Sequence, residues 1–213
     1  QRGALLTAPC EQTEKYTVEE GDDRIRNPGP PFAAPVVPTE SEKVLLFGMM
    51  PPIAKMDNTL STLKAAKHLS LSSNVIEKIT GLKGCESCEI LSLGRNQIKK
   101  LDGVEDVAET LQELWISYNL LPNMKGVEKL PKLRVLYMTQ NLIAKLADLD
   151  TLKECKLLEE LTLIGNPIWN EHSLPGTPED FREQVAGRCP WLKKLDGSPI
   201  TEDERTAGAE KVA

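Results

Sequence analysis

Two histidines and five cysteines are the residues of this 213-residue chain best suited to act as ligands, bases or nucleophiles. The cysteines, Cys10, Cys85, Cys88, Cys155 and Cys189, are odd in number and scattered, the usage of a reducing compartment. Cys85-Glu-Ser-Cys88 has the spacing of half a zinc site or of a redox pair. No second ligand pair lies at a matching distance, and only His68 and His172 are present, so buried or half-exposed thiols are expected. Gly81-Leu-Lys-Gly84 lacks the spacing and the lysine-hydroxyl ending of a phosphate-binding loop, and no G-x-S-x-G elbow occurs. His68 has the parity of an outward strand residue and is expected to be solvated. Glu159 and Glu160 are adjacent in a strand and face opposite ways, which does not suit paired acid-base work. No catalytic residue, cofactor or metal site is expected, and the chain reads as a non-enzyme.

Aromatic residues carry the remaining chemical signal. The stretch Leu111 to Asn119 reads Leu-Gln-Glu-Leu-Trp-Ile-Ser-Tyr-Asn. In an extended strand Leu114 and Ile116 share one face, while Trp115 lies with Glu113 and Ser117 on the other.

The position of that strand follows from an internal repeat. Asn74, Asn96, Asn119, Asn141 and Asn166 are 22, 23, 22 and 25 residues apart, and each closes the same phrase. The phrases are Leu69-x-Leu71-x-x-Asn74, Leu91-x-Leu93-x-x-Asn96, Leu114-x-Ile116-x-x-Asn119, Leu136-x-Met138-x-x-Asn141 and Leu161-x-Leu163-x-x-Asn166. A second apolar beat follows at Ile76 and Ile79, Ile98 and Leu101, Leu121 and Met124, and Ile143 and Leu146. One short strand with one short return cannot bury its apolar face alone, but stacked copies make a continuous core. Asparagine suits the bend because its amide satisfies backbone groups locally. The fold class is therefore α/β: a leucine-rich repeat solenoid with a parallel β-sheet on one face and short helical or 3₁₀ returns on the other. The longer segment after Leu146 is a candidate true helix.

Both ends need closing. Leu46, Ile53 and Met56 fall 23 residues before Leu69, Ile76 and Ile79, which predicts a degenerate first repeat with Pro51-Pro52 in its bend. Thr177-Pro178-Glu179-Asp180 carries a helix start, and Phe181, Val185 and Cys189 give that helix one apolar face up to Pro190, a helical C-terminal cap. Leu192 and Leu195 make a last rung, followed by a turn at Asp196-Gly197. Thr201-Glu-Asp-Glu204 matches a capping box and opens a weakly apolar segment that packing alone would hold poorly.

The domain organisation is a repeat domain with its cap at 41–197, a C-terminal helix or tail at 198–213, and a proline-rich tail at 1–40. That tail has Pro9, Pro28, Pro30, Pro31, Pro35 and Pro38 and few large apolar groups, so disorder is expected there. It holds −3 of the net charge of −6, leaving the rest of the chain with no strong field. Phosphate-driven nucleic-acid binding has no support from net charge. No stretch has the roughly 18 apolar residues of a membrane span, and a cytosolic address is expected.

Repeat register then gives the columns of the outward face. One runs Ser70, Ser92, Trp115, Tyr137, Thr162, and its neighbour runs His68, Ile90, Glu113, Val135, Glu160. Trp115 and Tyr137 should sit side by side about 4.8 Å apart in strand spacing, near Ile90 and Val135, with Arg95 and Tyr118 at the rim. Three of the chain's nine aromatics fall in this one patch. Aromatics flanked by arginine and acid on a rigid sheet have the make-up of a protein-binding hot spot, and mutual cross-strand cover is the competing reading.

Several phrases go beyond the generic repeat: Met56-Asp-Asn-Thr-Leu-Ser-Thr-Leu-Lys-Ala65, Lys67-His-Leu-Ser-Leu-Ser72, Ile90-Leu-Ser-Leu-Gly-Arg-Asn96, Glu113-Leu-Trp-Ile-Ser-Tyr-Asn119, Leu133-Arg-Val-Leu-Tyr-Met138 and Leu192-Lys-Lys-Leu-Asp-Gly197. From about Ser41 to Arg205 the chain resembles the light chain 1 family of axonemal outer-arm dynein. The resemblance implies a non-catalytic subunit in the cytoplasm and cytoskeleton, at the axoneme of a cilium or flagellum. Its implied partners are a dynein heavy chain, contacted at or near the microtubule-binding region, and tubulin; neither nucleic acid nor membrane is implied. In that family the sheet's hydrophobic face meets the heavy chain and a C-terminal helix projects from the capped end. Carried over, this points to Ile90, Trp115, Val135 and Tyr137, and to Arg205 on the last segment. The proline-rich front departs from the family, which begins with a helix. Two other readings remain: a regulatory scaffold of a protein phosphatase, since regulators of that kind share the Leu-Lys-Lys-Leu-Asp-Gly ending, and an RNA-associated repeat protein, which would need a basic groove.

Overall fold

The computed structural model describes residues 39–169 and 178–212, with the backbone alone of Thr17–Glu20 and Asp23–Arg26. The start signal at Thr177 and the loop from His172 to Gly176 lie outside the described residues.

Strands β1 (Thr17–Glu20), β2 (Asp23–Arg26), β3 (Lys43–Leu45), β4 (His68–Ser70), β5 (Ile90–Ser92), β6 (Glu113–Trp115), β7 (Val135–Tyr137), β8 (Glu160–Thr162), β9 (Lys194–Leu195) and β10 (Ser198–Pro199) form one sheet in the order β10-β9-β8-β7-β6-β5-β4-β3-β1-β2. From β3 to β9 neighbouring strands are parallel, as a one-way solenoid requires. Antiparallel pairs close the two ends. β1 and β2 fall inside the segment expected to be disordered, and β1 covers the edge that β3 would otherwise leave unpaired.

Each repeat buries its first leucine and the apolar residue two further on, together with the second beat, in one continuous core, against which Leu146 packs partly buried. The bend asparagines do more than turn the chain. Asn119 Oδ1 accepts from Ile98 N at 3.0 Å, and its amide donates to Leu93 O and Ile116 O at 3.0 and 3.1 Å. It thus ties its own coil to the preceding one, and Asn74, Asn96, Asn141 and Asn166 repeat the pattern. The left-handed conformation belongs to the residue before the asparagine. Ser73, Arg95, Tyr118, Gln140 and Gly165 have φ between +55° and +76°.

Two expectations are corrected. Val44, not Leu46, lies opposite Leu69. Ile53 keeps its predicted place, since its N–H donates to Asn74 Oδ1 as that of Ile76 does to Asn96. The first coil therefore carries two extra residues, accommodated in the bend between Phe47 and Pro52. After Leu146 the chain forms no α-helix but a 3₁₀ helix, Leu146–Glu154. Buried Leu149, Leu152 and Cys155 recur every third residue, the period of that tighter helix.

Helices α1 (Pro178–Arg188) and α2 (Glu202–Val212) form the C-terminal cap. α2 starts with the predicted reciprocal cap: Glu204 N donates to Thr201 Oγ1 at 3.2 Å and Thr201 N to Glu204 Oε2 at 2.7 Å. It is held by close backbone approach and charge, with little apolar surface. A Cβ built on Gly208 would fall on Glu183 O and Gly187 N. Arg182 pairs with Glu204, and Lys211 with Asp180 and Glu183.

Candidate protein-binding face

Registers set the outward columns as expected: Ile90 lies opposite Glu113 and Glu113 opposite Val135, while Ser92 lies opposite Trp115 and Trp115 opposite Tyr137. The short strands alternate buried leucine with half-buried outward residues, so the backbone that packs the core also fixes the patch. Trp115 and Tyr137 are stacked, with centroids 6.0 Å apart and planes inclined by 30°. Each polar atom has a carboxylate partner: Trp115 Nε1 donates to Glu113 Oε2 at 2.9 Å, and Tyr137 O–H donates to Glu160 Oε1 at 3.1 Å. Burial first, and then the Glu160 carboxylate, raises the Tyr137 hydroxyl pKa above its ordinary value. A neutral, oriented pair of rings results, with the mutual cover of the competing reading built into it.

His68 is corrected from a solvated residue to a packed one. It is half-buried, meets Trp115 edge-on at 5.6 Å and shares a 3.1 Å hydrogen bond with Ser92 Oγ. At the rim, the Arg95 guanidinium lies 4.6 Å from the centroid of the exposed Tyr118 ring. Both side chains leave a left-handed backbone, which non-glycine residues adopt infrequently. Arg205 does not join these residues: it lies on α2 in the cap and donates to Pro190 O and Leu192 O.

Sequence reasoning missed three exposed apolar residues: Leu120 and Leu142, each just after its asparagine, and Ile164. Leucine at the same repeat position in two successive coils was the available signal.

Cys85 and Cys88 are buried with hydrogen bonds to Leu60 O and Ile90 O, and burial pushes their thiol pKa values to about 11 and about 12. Glu159 is drawn to Lys193 and Arg134, whose hydrogen bonds lower its pKa. Among the described residues no cluster of His, Cys, Asp or Glu could hold a metal, and no helix is long and apolar enough to cross a membrane.

Stacked coils, the asparagine ladder and the parallel sheet define a leucine-rich repeat protein, and the family model described as leucine-rich repeat matches residues 91–213. Solved structures share the fold: a leucine-rich repeat protein of Leptospira interrogans superposes with a TM-score of 0.54 at 22% identity, over 68% of this chain and 34% of that one. The chain is also 55% identical over 170 residues to dynein axonemal light chain 1 of Chlamydomonas reinhardtii, covering 80% of this chain and 86% of the relative. It is 46% identical to the Bos taurus protein of that name over 78% of this chain and 86% of the relative, and 45% identical to the Homo sapiens one over 76% and 84%. The chain belongs to the dynein axonemal light chain 1 family.

Proposed function

We propose that this chain is a non-catalytic subunit of axonemal outer-arm dynein. In this reading it binds the motor's heavy chain near the microtubule-binding region, within reach of tubulin, and tunes ciliary or flagellar motility. The observation that carries the reading is the stacked Trp115–Tyr137 pair, flanked by Ile90 and Val135, on a face the solenoid holds rigid. Such a pair offers large contact area at small entropic cost. The names of the relatives supply the partner class.

The test is recovery of heavy chain from axonemal extract on the immobilised double variant Trp115→Ala, Tyr137→Ala. Removing two such anchors should weaken binding by at least ~2 kcal/mol, about thirtyfold. Undiminished heavy chain on a variant that melts cooperatively would rule this face out.

A further inference from the structure

On the return side of the solenoid the second apolar beats leave two solvent-facing positions per coil between them, exposed in each coil except at the half-buried Asn123. The backbone N–H groups of Ile53, Ile76, Ile98, Leu121 and Ile143 each donate to the asparagine of the following coil, which fixes the alignment. Two residues further on in each coil stand Lys55, Lys78, Lys100, Asn123 and Lys145. Lys99 stands beside Lys100. Four of the five aligned positions are therefore lysine, all four exposed, in a chain whose net charge is −6. No ion pair joins Lys55, Lys78, Lys99, Lys100 or Lys145 to another described residue, whereas Lys67, Lys129, Lys153, Lys193, Lys194 and Lys211 are all paired.

The column also has a shape. Two adjoining crevices of about 480 and 570 Å³ lie along it and share Glu77, Lys78 and Thr80, the first reaching back to Lys55 and the second forward to Lys99 and Lys100. Val75 and Ile79 supply apolar lining. From Lys55 to Lys145 the column crosses four coil spacings, about 19 Å at the usual strand separation, which about six residues of extended chain would span.

We infer that this lysine column is a second docking surface, distinct from the aromatic face, and that it takes an extended acidic segment of another polypeptide. Charge complementarity selects the occupant: unpaired ammonium groups at repeat spacing favour a run of carboxylates. A nucleic acid fits less well. The column has no arginine and no aromatic to stack on a base. Lysine offers point charges on flexible stems, which suit side-chain carboxylates of variable spacing.

The experiment measures fluorescence anisotropy of a labelled oligoglutamate titrated with the full chain at low ionic strength. The triple variant Lys78→Gln, Lys99→Gln, Lys100→Gln changes only exposed side chains and should weaken binding about tenfold. Trp115→Ala with Tyr137→Ala should leave it unchanged, which separates this surface from the proposed heavy-chain face. Added salt should weaken the complex. The inference is overturned if the oligoglutamate does not bind, if the triple variant binds it as tightly as the parent chain, or if single-stranded poly(U) binds the column more tightly than oligoglutamate.

Discussion

Single residues in this protein have sharply separate duties within one strand turn. In Glu113 to Asn119, Leu114 and Ile116 are core, Trp115 is half-exposed, Tyr118 holds a left-handed backbone, and Asn119 bonds to its own coil and the preceding one. Asn119→Ala would leave Ile98 N–H, Leu93 O and Ile116 O without these side-chain partners in a buried place. Leu93 O keeps the Asn96 amide and Ile116 O the Asn141 amide, so Ile98 N–H is the group left unsatisfied, and a loss of about 1 to 3 kcal/mol is expected, read as a lower urea midpoint. Ser73→Ala, at an exposed position in another coil, should shift the midpoint far less. The asparagine spacing was legible from composition and period alone. Its inter-coil bonding was not, because spacing along a chain does not say which of two neighbouring carbonyls an amide will reach. The packing of His68 was hidden for a related reason: its parity placed it outward correctly, but its contact with Trp115 is made across the intervening β5 strand.

At the level of elements, what could be read depended on whether an apolar period was present. The repeats had one, and their columns emerged in register. α2 had almost none, and its docking rests on a feature that hydrophobic patterning ignores, the meeting of Gly187 and Gly208. Gly208→Val should force the two helices apart, with a cost of about 1 to 3 kcal/mol if α2 stays docked. The expected outcome is undocking: trypsin should then reach Arg205 and Lys211 while residues of the repeat domain stay protected. Ala209→Val, on the exposed side of the same helix, serves as the control and should leave digestion unchanged. The 3₁₀ helix at Leu146–Glu154 shows the opposite case, a period that was present but is easily mistaken. Three-residue spacing of Leu149, Leu152 and Cys155 points to the tighter helix, whereas length alone suggested an α-helix.

As a whole molecule the solenoid is a frame in which each coil is bonded to its neighbours through strand pairing and the asparagine ladder, with little freedom for the sheet face to reshape. If the chain tunes a motor, as proposed, the direct route is a difference in affinity between the motor's states. If it bound every state of the heavy chain equally, it would shift no equilibrium however tightly it held on. In the proposed reading, tuning by affinity therefore requires that the partner's surface, not this chain's, change between states, and that Trp115 and Tyr137 meet it well in one and poorly in another. The expected coupling is of the usual size, a difference of about tenfold in affinity between nucleotide-free and nucleotide-bound heavy chain, or about 1.4 kcal/mol. Titrating the chain against the heavy chain in each state, with the intrinsic fluorescence of Trp115 isolated by replacing Trp169 and Trp191 with phenylalanine, would measure it. Trp115→Ala with Tyr137→Ala, followed with an attached dye, should weaken the complex in the favoured state most and so compress the ratio toward one. Equal affinities in both states would make the chain a constitutive tether, and its influence on motility would then have to come from geometry: where it places the heavy chain relative to whatever acidic segment the lysine column holds.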